Sequence, residues 1–311
     1  FQWSPDSKKI VYTDRKNRIN LLDVSNKQLT NISQSLLGEA RNVSFSPDNN
    51  WLTYSRVSDN NFSIVYVYDI AGKKEYPVTD KWYESYSPVF STDGKYLVFT
   101  SARDFNPTYS QTEWNHVYNN MGGVYLALLS KDTASPFMET DAEVAIESTP
   151  AKADASKKDE TKNEASTPVV KIDIECITDR IVKLPLPGSN YYDLYSNVYY
   201  FTKGGMKMFD LKKQKEETVS DAAMMVDPAG KKAVFFKDDQ LFVTDIPKGK
   251  ADLSKPVNLA NMKITVDYTK EWAQIFDEAW RAFRDGFYLE NMHGKDWKAI
   301  KEKYAALLPY V

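Results

Sequence analysis

"VSFSPDNNWLTYSR", residues 43–56, reads as two strands joined by a tight turn. Val43 and Phe45 alternate with serines, and Trp51-Leu52-Thr53-Tyr54 resumes the alternation after the turn. Between them Pro47 presets φ, Asp48 can bond its own backbone, and Asn49 tolerates a left-handed conformation. The same phrase stands upstream as "FQWSPDSKKIVYTD" (1–14) and downstream as "PVFSTDGKYLVFTS" (88–101), where Gly94 supplies the left-handed position. Aligning the copies puts Trp3, Phe45 and Phe90 in one column, at spacings of 42 and 45 residues. A period of about 40–45 residues with several strands per unit is that of a β-propeller blade.

Working outward, each hairpin is followed by a third strand: "INLLDV" (19–24), "IVYVYDI" (64–70), "VYLALL" (124–129), "MKMFDL" (206–211) and "LFVTDI" (241–246). An Asp closing that strand turns the chain into a short outer strand such as "KQLTNI" or "KEYPVT". Later copies are degraded: "AAMMVDPAGKKAVFFKD" (222–238) keeps turn and strand, and "NYYDLYSNVYYFTK" (190–203) keeps only the strand rhythm. The expectation is mainly β: about five WD40/TolB-like, four-stranded antiparallel blades within a partial β-propeller domain at 1–265. Two insertions interrupt the third blade. Residues 101–123 form an aromatic-rich loop. Residues 139–167, rich in Ala, Lys, Glu, Ser and Thr and without an aromatic, read as a disordered insertion. After it, "VVKIDIECITDRIVKLPLP" (169–187) is expected to supply that blade's outer strand, with Cys176 buried on it.

From Thr269 the apolar period becomes 3.6: Trp272, Ile275, Phe276, Ala279, Trp280, Phe283 and Phe287 form one stripe. Thr269 is the expected N-cap, and Asp296 that of a second short helix carrying Trp297, Ile300, Tyr304 and Leu307. Residues 266–311 therefore read as the helical start of a second domain. A chain that opens inside a blade and stops inside a helical domain reads as a piece of a larger enzyme.

Composition narrows the function. The 311 residues carry a net charge of −3, which gives no global field for nucleic acid. No apolar run approaches the roughly 20 residues of a membrane span. The single cysteine excludes an intrachain disulfide. Two histidines, His116 and His293, and one cysteine make no metal-ligand motif, and no Gly-x-Ser-x-Gly elbow is present. No catalytic, metal or cofactor-binding residue is assigned. The best binding candidates lie in the 101–123 loop: Phe105, Tyr109, Trp114, His116 and Tyr118. An aromatic insertion at a propeller rim faces what passes it, interdomain packing being the rival reading.

The blade phrases resemble the propellers of TolB, prolyl oligopeptidases and tricorn proteases. "SARDFNPTYSQTEWNH", "IECITDRIVKLPLPGSNYYDL" and "EWAQIFDEAWRAFRDGFYLENMHGKDWKAIKEKY" together resemble the end of the second propeller of a tricorn-type serine peptidase, followed by the start of its helical core domain. The resemblance implies an enzyme that degrades peptides and forms homo-oligomers. Its propellers gate access to a core with a PDZ-like domain, and its nucleophile and base lie beyond these residues. His293 of "NMHG" falls in a helix connection and is given no catalytic role. Two alternatives are a stand-alone TolB-like interaction module, against which the apolar helices argue, and the propeller of a dipeptidyl-peptidase-IV-like enzyme. The compartment, periplasmic or cytoplasmic, stays open.

Overall fold

Among the described residues five small antiparallel blade sheets follow one another along the chain, and a sixth sheet of two strands is inserted in the third. The computed structural model describes residues 1–35, 37–104, 107–138, 168–195, 198–227 and 231–310. Phe105 and the 139–167 insertion lie outside the described residues. The first blade has β1 (Gln2–Trp3), β2 (Lys9–Thr13), β3 (Arg18–Asp23) and β4 (Leu29–Gln34); the second has β5 (Arg41–Phe45), β6 (Trp51–Val57), β7 (Ser63–Asp69) and β8 (Lys74–Pro77). In the third, β9 (Ser85–Phe90) and β10 (Tyr96–Ser101) are separated from β13 (Gly123–Leu128) and β14 (Ile181–Lys183) by a small hairpin, β11 (Thr108–Tyr109) and β12 (His116–Val117). The fourth holds β15 (Tyr192–Tyr195), β16 (Tyr199–Thr202), β17 (Gly205–Asp210) and β18 (Lys215–Ser220). The fifth holds three strands, β19 (Ala223–Val226), β20 (Lys232–Lys237) and β21 (Gln240–Asp245).

The repeated phrase is a turn with a fixed wiring. Ser4, Ser46 and Ser91 each donate to the Asp two residues on, at 2.6 Å in all three copies. Each hydroxyl also accepts the backbone N–H five residues later, at 2.9–3.0 Å. The next position is left-handed each time: Ser7 (φ 58°), Asn49 (63°) and Gly94 (69°). In the degraded fifth copy Asp227 stands in the serine's place, and its carboxylate accepts from the N–H groups of Lys231 (2.6 Å) and Lys232 (2.8 Å). The second turn is equally regular. Asp69 accepts two amides, from Ala71 and Gly72, as Asp210 does from Lys212 and Lys213.

Because side chains alternate along a strand, each blade presents one set of residues to the blade before it and another to the blade after it. Ile64, Tyr66 and Tyr68 of β7 pack with Val11, Ile19 and Leu21 of the first blade, whereas Val65 and Val67 pack with Leu97 and Phe99 of the third. Val98 faces Tyr200 of the fourth blade, and Tyr199 faces Phe235 of the fifth. Buried polar links reinforce two blades at one register: Tyr54 donates to Glu75 of β8, and Tyr200 donates to Glu216 of β18. Glu75 also receives Arg56 (2.6 Å) and, from the first blade, Ser33 (2.8 Å).

Two expectations for residues 169–187 need correction. Residues 169–180 do not extend the outer strand, which is confined to β14. The alternation of Val170, Ile172 and Ile174 does serve packing against the second and third blades. However, the Arg180 guanidinium takes the carbonyls of Leu128, Leu129, Asp173 and Glu175, so the segment is pinned by a side chain rather than a ladder. Cys176, accordingly, is exposed, in a left-handed conformation just before a 3-10 turn.

The chain divides into two compact units, Phe1–Val257 and Asn258–Val311. The second holds α1 (Tyr268–Gly286) and α2 (Trp297–Ala305). Asp267, not Thr269, caps α1: its side chain accepts from Lys270, and Thr269 lies inside the first turn. Asp296 caps α2 through Ala299 at 2.9 Å. Trp280 and Trp297 exchange indole-to-carbonyl hydrogen bonds of 2.9 and 3.1 Å. Around them Phe276, Phe283, Ile300 and Tyr304 line a cavity of about 220 Å³.

Candidate functional site

Strand order alone decides where the 101–123 loop emerges. Within a blade the second-to-third connection, and the connection to the next blade, both leave from the end opposite the Ser-Pro-Asp turns. The last pair of the β10–β13 ladder is Ser101↔Gly123, and the loop rises from there. Its base is held by backbone bonds from Asp104 to Met121 (3.0 Å) and from Ser189 to Gly122 (2.9 Å). The Lys183 ammonium lies 2.6 Å from Asp104. The approach is so close that a Cβ on Gly122 would stand 2.4 Å from the Ser189 carbonyl oxygen. That is a reason for glycine in "NNMGG" beyond turn flexibility.

Above the base the loop is a two-stranded hairpin, with Thr108↔Val117 and Tyr109↔His116 in register. Ser110 closes the turn, its N–H on Asn115 at 2.8 Å and its hydroxyl accepting from Thr112 at 3.3 Å. Tyr109 lies at the centre of an aromatic group. Its ring meets Trp114 edge-on at 6.0 Å and His116 at 5.8 Å. Tyr109 is 58% and Trp114 73% exposed, and His116 and Tyr118 are exposed as well. The structure thus brings together three of the five expected residues around one ring. Tyr118 follows on the β12 side, and Phe105 is among the residues not described.

Reasoning from sequence missed the neighbours. The connector from the second to the third blade carries Trp82, 80% exposed, and Tyr83, while Phe62 sits in the second blade's own 58–62 turn. Asn60 donates to the Lys81 carbonyl at 2.8 Å, and Lys81 pairs with Asp59 at 2.6 Å, so turn and connector are tied. Glu84 carbonyl accepts from the Ala102 N–H, which joins the connector to the hairpin's root. There the Arg103 guanidinium lies 5.5 Å from the Tyr83 ring and 5.8 Å from Tyr125, with Asp80 at 3.9 Å. Burial pushes the Tyr125 hydroxyl up to about 12, and the Asp104 carboxylate adds to it. The available signal was "TDKWYES" (79–85), an aromatic pair in an otherwise polar connector.

Both histidines have aromatic neighbours. His116 packs on Tyr109, and His293 Nε2 lies 2.5 Å from the Tyr288 hydroxyl. Among the described residues no three His, Cys, Asp or Glu side chains converge as a metal site. No helix among them is long and apolar enough to cross a membrane.

A family model described as the tricorn protease second β-propeller domain matches residues 1–247, and one described as the tricorn protease C1 domain matches 268–311. The chain belongs to the tricorn protease family. Tricorn protease homolog 1 of Streptomyces coelicolor is 26% identical over 339 residues, covering 99% of this chain and 31% of that protein. Tricorn protease of Thermoplasma volcanium is 25% identical over 318 residues, covering 98% and 30% respectively. The crystal structure of the tricorn protease superposes with a TM-score of 0.78 at 17% identity, over 99% of this chain and 31% of that one. That superposition bears out the fold: propeller blades followed by a short helical segment. The chain spans about a third of the length of these relatives.

Proposed function

We propose that this chain is the propeller and linker portion of a tricorn-like serine peptidase that degrades peptides. The nucleophile and base lie in core domains outside these residues. The blades serve substrate access, and the helical unit docks the remaining core, including a PDZ-like domain. The intact enzyme works as a homo-oligomer. The observation that carries this reading is the succession, in one chain, of a match to the second propeller and a match to the C1 domain. It is supported by the exposed aromatic hairpin that the third blade carries.

The test is hydrolysis of a fluorogenic peptide by the intact protein. Turnover that a serine-directed covalent inhibitor abolishes is the expected result. Turnover that survives the inhibitor and disappears with a metal chelator would overturn the serine assignment.

A further inference from the structure

The third blade departs from its neighbours at one joint. In the first, second and fourth blades the third and fourth strands are linked by short turns at residues 24–28, 70–73 and 211–214. These turns lie at the same end as the Ser-Pro-Asp turns. In the third blade the link is residues 129–180, and its described flanks, 130–138 and 168–180, add no strand to any sheet. The two flanks leave the blade knotted together. The Ser130 hydroxyl and the Lys131 N–H both donate to the Asp173 carboxylate, at 3.1 and 2.8 Å, and the Asp173 N–H donates to the Leu129 carbonyl at 2.8 Å. From that knot they diverge to opposite neighbours. The outgoing flank sets Phe137 edge-on to Phe209 of the fourth blade at 6.4 Å, and the Pro136 carbonyl accepts from Gln214 of that blade's turn at 3.3 Å. The returning flank donates the Val170 N–H to Asp48 of the second blade's turn at 2.9 Å. We infer that the flanks are the two arms of a clasp, knotted at Asp173, that couples the second, third and fourth blades into one cooperative unit. The inference concerns how the blades hold together and does not rest on the peptidase reading.

Three observations separate a clasp from surface trim. First, the sequence of the turns beneath it is adapted to it. The left-handed turn position carries Ser7 and Asn49 in the first two copies and Gly94 in the third. A Cβ on Gly94 would stand 2.8 Å from a Val170 methyl, so the glycine there answers to the arm as well as to φ. Asp48 likewise receives the Val170 N–H on top of its own Ser46 and Asn50. Second, the underside of the returning arm is apolar. Val170 and Ile177 are buried in one cluster with Val65 and Val67 of the second blade and Leu97 and Phe99 of the third. Lifting the arm therefore exposes the core between two blades, so it opens with them rather than fraying first. Third, the knot has fixed geometry. The exposed pairs Lys171–Asp132 and Lys131–Glu175 add little. Arg180, by contrast, ties the end of β13 to the returning arm, because one guanidinium takes the Leu128 and Leu129 carbonyls together with those of Asp173 and Glu175.

The test is hydrogen–deuterium exchange read by mass spectrometry on the 311-residue chain. Asp173→Ala removes the knot without touching either arm's tip. It should speed exchange about tenfold both at residues 46–51 of the second blade and at residues 209–214 of the fourth. The first-blade turn at 4–9 and the fifth-blade turn at 231–232 should keep their rates. Asp173→Asn retains an acceptor for the two donors and should stay close to the unsubstituted chain. At the tips the effects should split: Phe137→Ala should act on 209–214 and leave 46–51 alone, and Val170→Ala should do the opposite. Faster exchange in Asp173→Ala confined to 129–138 and 168–180 would overturn the inference, because the flanks would then be dressing on a blade that holds without them. An equal rise over all five blades would overturn it too, as a general loss of stability. Should Asp173→Ala fail to fold, the tips decide: Phe137→Ala with unchanged exchange at 209–214, or Val170→Ala with unchanged exchange at 46–51, contradicts the clasp.

Discussion

Ser46 shows how much of the fold rests on single polar residues. It is fully buried, donates to Asp48 and accepts the Trp51 N–H. Ser46→Ala strands both partners, and should cost about 1–3 kcal/mol in urea unfolding, with Ser91→Ala similar. Glu75 carries three donors from two blades, so Glu75→Ala leaves Arg56 and Tyr54 without their acceptor. A loss of about 2–3 kcal/mol is expected in the same assay, and Glu75→Gln should recover part of it. Asp59 gives a pH signature. The Lys81 ammonium beside it, helped by the Ser58 hydroxyl, holds its carboxyl down to about 2. Its unfolded value is about 4, so the folded pKa is depressed. The stabilisation is then complete above the ordinary carboxylate range and is lost as pH falls from about 4 toward 2. The stability gap between the protein and Asp59→Asn should stay constant from about pH 5 to 8 and close below about pH 4. The serine–aspartate turn was legible because three copies repeat it. The glutamate network was not, since nothing in "KEYPVT" says which neighbour Glu75 faces.

At the scale of elements, the pleat makes a sharp contrast available in one strand. Phe235 of β20 is fully buried against the fourth blade, while Phe236 is 61% exposed on the other face. Phe235→Ala should therefore cost about 3–5 kcal/mol and Phe236→Ala less than about 0.5 kcal/mol, measured by chemical unfolding. The alternation that assigns these faces was readable from "KAVFFKD", as were the third strands and the Asp that ends each of them. The 169–180 segment was misread for a physical reason: its alternation is real, but the Arg180 side chain competes for the carbonyls a ladder would use. In the helical unit no residue of α1 is buried, and the pair is joined by the Trp280–Trp297 exchange, the Lys301–Asp277 ion pair and the Phe283–Trp297 ring contact. Trp280→Ala should loosen α2 from α1, read as a loss of helical ellipticity below the melting of the sheets. The stripe and the second cap were legible; the first cap shifted from Thr269 to Asp267 because both residue types accept well there.

For the whole molecule, the sequence contains its architecture almost completely, because a repeat states the same local rule many times and a helical stripe states a change of rule once. The candidate site was half legible. Tyr109, Trp114 and His116 stood out as an aromatic insertion, and the structure gathers them on one hairpin. Trp82 and Tyr83 escaped notice because blade-to-blade connectors carry no rhythm, and only strand order reveals that they share an end with that hairpin. What the molecule displays is exposed aromatic rings at one end and polar turns at the other, in a chain of the tricorn protease family whose chemistry we assign to domains beyond it. The most direct test is a hydrolysis assay on the purified 311-residue chain with a fluorogenic peptide, with and without a serine-directed inhibitor. The account predicts no turnover in either arm; turnover that the inhibitor abolishes would contradict it.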